Sequence, residues 1–116
     1  MARYSNKDAL NELKELESKL LSRTEELLKD KNVDRVAGII ISIDNETYQT
    51  EREARRLRLM GRLDYEVYRT LMDGYVNLQK QIIELSEKHG LEKDVKNTRS
   101  FLRIEVSLVN RRKVKV

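Results

Sequence analysis

The chain has no cysteine and no proline, a single histidine, and only four glycines in 116 residues. Without cysteine there can be no disulfides, thiolate metal sites or thiol chemistry. Without proline the strongest helix breaker is missing, which predicts long, unbroken helices. Long apolar runs are missing as well. The longest stretch of large aliphatic residues is Ile39-Ile40-Ile41, against the roughly 18 residues a bilayer span requires. The N-terminal MARYSNKDAL carries no signal-peptide apolar region. These absences predict a soluble, cytoplasmic protein with no membrane partner.

Charge is plentiful. Charged residues make up 38% of the chain and hydrophobic ones 39%, enough apolar material to fold and so to exclude outright disorder. The length suits one domain, which would hide roughly two-thirds of its unfolded surface. Richness in Glu, Lys and Arg without cysteine is a composition shared with proteins of hot environments. The net charge of +4 is unevenly placed: zero over 1–32, +1 over 33–63, −2 over 64–90 and +5 over 91–116.

Three segments carry helical periodicity. Ser5 and Asn6 are good N-caps and Asp8 falls in the first turn. Leu10, Leu13, Leu16, Leu20 and Leu27 follow, widened by Leu21 and Leu28 and interrupted at Arg23 or Thr24; this predicts a helix over 7–30. GIIISI at 38–43 taken alone is a buried strand, since isoleucine is branched at Cβ. A longer window changes that. Val33, Val36, Ile40, Ile43, Thr47, Thr50, Ala54, Leu57 and Gly61 step by threes and fours, predicting one helix over about 34–60, with a strand at 38–43 as the alternative. Gly61 suits a helix end and Asp64 an N-cap, so the short GRLD connection predicts a helical hairpin. Tyr68, Leu71, Tyr75, Leu78, Ile82, Leu85 and His89 then mark a third helix over 64–89, with Gly90 at its C′ position.

The last segment is double-edged. FLRIEVSLV, 101–109, alternates as a strand does, but a lone strand in a helical protein would lack backbone partners. Helix is favoured there and strand is the alternative. NRRKVKV closes the chain as a basic tail. The expected architecture is all-α: an antiparallel bundle of three long helices plus a shorter C-terminal element. Residues 1–110 would form one domain and 111–116 the tail.

Motifs for chemistry are absent. His89 at a helix end suits the helix dipole as a capping or partly exposed side chain, and no Glu-x-x-His pair exists for a bundle-type di-iron site. Glycines at 38, 61, 74 and 90 form neither a phosphate-binding loop nor a dinucleotide fingerprint. The serines lie in no recognised nucleophile signature. Asp44-Asn45-Glu46 would be fanned around a helix as solvated charge. No catalytic, cofactor or metal residue is assigned, and the chain is expected to be no enzyme. A metal-dependent nuclease built from scattered carboxylates would leave no motif and is the third reading.

Two sets of residues suggest contacts. Tyr68 and Tyr75 share the leucine stripe and belong to a core, whereas Tyr65 lies off it beside the turn. Arg52, Arg55, Arg58 and Arg62 read as one aligned surface, with Arg56 turned away. Arginine binds phosphate bidentately, so this line, with Tyr65 and the tail residues Arg111, Arg112, Lys113 and Lys115, could contact nucleic acid or a partner. The competing account pairs the arginines with Glu51, Glu53 and the acidic face of the third helix or of a partner subunit. The apolar stripes are narrow, and Ile41, Leu59, Met60 and Ile83 flank them in need of cover. This predicts a homo-oligomer, a dimer or higher. The expected function is a helical module that acts through self-association or a protein partner. The alternative is a nucleic-acid-binding accessory or packaging protein.

Overall fold

A computed structural model describes residues 5–102 of the chain. The helices are α1 (Asn6–Lys29), α2 (Val33–Leu59), α3 (Tyr65–Lys88) and the short α4 (Glu92–Lys96). The protein is all-α, and no strand occurs among the described residues. GIIISI lies inside α2, so helical register outweighs the strand preference of isoleucine here.

Most ends of the long helices have a local cause. Ser5 caps α1: its hydroxyl accepts from the Asp8 N–H, while the Asp8 carboxylate accepts from the Ser5 N–H at 2.9 Å. That backbone bond, followed by the one from the Ser5 hydroxyl, holds the Asp8 carboxyl below the usual carboxylate range. At the other end of α1, the Lys31 N–H bonds the Leu28 carbonyl and the Asn32 N–H bonds the Leu27 carbonyl. This reversal places Lys31 in the left-handed region at φ 56°, and Asn32 then caps α2 by accepting from the Arg35 N–H. Gly61 (φ 67°) and Gly90 (φ 72°) make the corresponding turns after α2 and α3, where glycine adopts the conformation without strain. Asp64 stands at the N-cap of α3 but makes no capping bond; its carboxylate meets Arg62 instead, at 3.4 Å.

α3 is the middle of the fold. It packs against α2 most extensively and against α1 next, whereas α1 and α2 touch each other much less. The Cα envelope, 45 × 35 × 17 Å, is correspondingly flattened. Val36, Ile40 and Ile43 of α2 form one core with Leu71, Leu78 and Ile82 of α3, and α1 adds Ala9, Leu27 and Leu28. The stripe expected for α1 is only half satisfied. Leu13, Leu16 and Leu20 are partly buried and Leu10 is 50% exposed. A close approach fixes α1 on α3: Leu13 sits over Gly74, where a β-carbon would overlap its methyl groups. His89 Nε2 lies 3.0 Å from the Glu25 carboxylate, tying the end of α3 to α1.

α4 lays Val95, 1% exposed, against α2 and α3. Thr98 then starts another helical turn: its hydroxyl donates to the Val95 carbonyl at 2.7 Å and accepts from the Phe101 N–H at 3.2 Å. Phe101 and Leu102 are helical, with Phe101 buried in the core. The rest of the 101–109 segment, and the tail with Arg111, Arg112, Lys113 and Lys115, lie outside the described residues.

Buried hydroxyls on the helices mostly donate back to a carbonyl one turn earlier, as Thr47 does to Ile43 and Ser86 to Ile82. Thr24 differs. It is fully buried and its hydroxyl meets no partner. Thr24→Val keeps the shape and removes the unsatisfied group, so it should stabilise the fold by about 1 kcal/mol in urea denaturation; a destabilised variant would mean the hydroxyl is in fact hydrogen-bonded.

Candidate functional site

The arginine cluster occupies the last turns of α2 and the corner beyond. Arg52, Arg55 and Arg58 lie on the helix, but Arg62 follows the left-handed Gly61 and so leaves the helical register that was to align it with them. The four do not form one straight line. Each is engaged within the chain. Arg55 donates to Glu51 at 2.9 Å, four residues earlier, and Arg62 meets Asp64. The Arg52 guanidinium lies over the Tyr48 ring, 5.8 Å from its centroid, and that of Arg58 lies 6.0 Å from the centroid of Tyr65 across the corner. Arg56 forms a two-pronged pair with Glu53. That hydrogen bond, with the adjacent charge, holds the Glu53 carboxyl below its ordinary range and pushes the Arg56 guanidinium up.

Tyr65 is therefore no free stacking platform: it is half-buried and its ring faces Arg58. The arginines nonetheless keep much of their surface wet. The side chains of Arg55, Arg56 and Arg62 are 58%, 60% and 54% exposed, so their ion pairs are screened and readily exchanged. The same corner presents Leu59 (88% exposed), Met60 and Leu63 (93% exposed) to solvent. Of the flanking apolar positions expected to need cover, Ile41 and Ile83 are tucked against the core, while Leu59 and Met60 remain open.

A second surface escaped the sequence reading. α1 and α2 touch each other little and leave a groove of about 550 Å³ between them, floored by Tyr75 of α3. Leu16, Leu20 and Leu27 line one wall; Gly38, Ile39 and Ser42 line the other. Burial, and then the nearby Glu12 and Glu46 carboxylates, push the Tyr75 phenol up. The signal that could have revealed the wall is a second stripe on α2, Arg35, Ile39, Ser42 and Glu46, stepping by four, three and four beside the core stripe.

Among the described residues the carboxylates do not gather into a metal site. Asp44 is 5% exposed, buried where solvated charge was expected, because it lies four residues from Ile40 and three from Thr47 on the core side of α2. Glu46 stands on the groove rim. Among the described residues, no group of three or more His, Asp or Glu side chains could share a metal ion, and no helix is long and apolar enough to cross a membrane. No protein family matches the chain, and comparisons with curated proteins and with solved structures gave no match.

The Glu53–Arg56 pair has a definite pH signature. A carboxyl depressed in the folded state contributes above the ordinary carboxylate range, and the contribution is lost as pH falls through the folded value. In an NMR titration the Glu53 carboxyl carbon should turn below the ordinary Glu midpoint, and Arg56→Gln should return it there. An unshifted wild-type midpoint would show that the pair does not persist in solution. The melting temperature should barely move, since the Arg56 guanidinium is exposed and Glu53 only half-buried, so water screens the pair.

Proposed function

We propose that this protein is a non-catalytic helical module that works by self-association. The open apolar groove between α1 and α2 carries the reading. Three long helices of one chain leave a concave apolar surface that a fourth helix would close, as bundles require. The local pairing of all five corner arginines supports the same preference, since it supplies the account that competes with phosphate binding.

A second reading rests on a specific feature. Arg55, Arg56 and Arg62 remain more than half exposed, and phosphate oxygens could replace Glu51, Glu53 and Asp64 as their acceptors. On that reading the protein is a nucleic-acid-binding accessory whose contacts are independent of sequence.

Two measurements separate them. Light scattering at tens of micromolar should give at least twice the 13.7 kDa chain mass; a monodisperse monomer would sink self-association. Fluorescence anisotropy with duplex and single-stranded DNA and RNA, at two salt concentrations, should show no binding at low salt. Binding that weakens steeply with salt, and disappears in an Arg55→Glu/Arg58→Glu variant that stays helical, would install the second reading.

A further inference from the structure

Three of the four glycines have a reason inside the chain. Gly61 and Gly90 adopt positive φ at helix ends, and Gly74 admits Leu13. Gly38 has none. It lies in the interior of α2, where glycine weakens a helix, and a β-carbon there would meet nothing within 4 Å. It lines the groove wall. A mid-helix glycine facing open space is explained if a backbone from outside the chain comes close to it.

The charges on the same wall say which backbone. Arg35 and Glu46 flank the groove and form no ion pair among the described residues, unlike the corner arginines. They are 11 residues apart on one helix, about 16 Å along its axis at 1.5 Å per residue, too far to reach each other. In an antiparallel pairing of two α2 helices about a two-fold axis between Ile40 and Ile41, Arg35 of each copy faces Glu46 of the other, and Ile39 faces Ser42. The pattern is complementary to itself, the requirement of an isologous interface.

We propose that the groove receives α2 of a second copy of this chain, antiparallel, with Gly38 at the close approach and two reciprocal Arg35–Glu46 pairs setting the register. Leu16 and Leu20 of α1 then cover the incoming helix, so α1 and α2 of both copies close into a four-helix layer. The inference rests on the self-association reading and assigns its surface.

Sedimentation equilibrium and light scattering of four chains test it. The wild type should be a dimer. Gly38→Leu, which has room in the single chain and raises helix propensity, should keep its helical circular dichroism and weaken dimerisation by at least about tenfold. Arg35→Glu should also weaken it, and Arg35→Glu/Glu46→Arg should restore it, because the swap preserves complementarity. Arg35→Glu alters an exposed side chain, so the test holds even if Gly38→Leu fails to fold. A wild type that stays monomeric overturns self-association and this geometry together. A wild-type dimer that Arg35→Glu or a folded Gly38→Leu leaves intact, or that the double swap fails to restore, overturns only the geometry and turns attention to the Leu59–Met60–Leu63 corner.

Discussion

The seating of Leu13 on Gly74 is the contact on which the arrangement of the three helices turns. A glycine in the middle of α3 lets the leucine side chain reach the α3 backbone, which draws α1 toward α3. α2 is held on the other flank of α3 by the Val36, Ile40 and Ile43 row. A helix so committed to the central one cannot also close against its sequence neighbour. The open space between α1 and α2, with Tyr75 at its floor, is the geometric remainder of that choice. The groove is thus a product of packing elsewhere, and the half-exposed leucines of α1 are part of the same account.

α2 handles charge differently along its length. In its second half each arginine has a partner within the chain: glutamates one turn back meet Arg55 and Arg56, and aromatic rings carry Arg52 and Arg58. Its first half leaves Arg35 and Glu46 facing outward on the groove rims. Arginine density alone drew attention to the second half. Density measures how many cations a helix carries, whereas recognition depends on which of them lack a partner already within reach.

The three long helices were legible in the sequence to within a residue or two at each end, because their determinants are local, whereas the short α4 was not anticipated. Ser5 with Asp8, Gly61 and Gly90 each act within one turn, and the threes-and-fours stripe of α2 is a property of one helix. The same locality identified Thr47, Ala54 and Leu57 as core-facing. What failed depended on how helices sit relative to each other. The richest leucine stripe, on α1, is the least buried because α1 packs on α3 and hardly on α2. Asp44 is buried although its residue type suggests solvent, and Arg62 leaves the arginine register because the helix ends before it. The groove was invisible for a related reason: it belongs to the space between two elements, and a stripe of Arg, Ile, Ser and Glu does not register as apolar.

The chain reversals have a consequence for how the fold is reached. After α1, α2 and α3 the direction of the chain is set by paired backbone hydrogen bonds spanning only a few residues, at Lys31, Gly61 and Gly90. No long loop has to be closed before neighbouring helices meet, so the entropy of the conformational search is spent in short steps. Helical proteins dominated by such local contacts fold in microseconds to milliseconds. Each reversal closes within a few residues, whereas the docking of α1 on α3 joins the most distant partnership among the long helices in sequence and carries the largest share of that entropy.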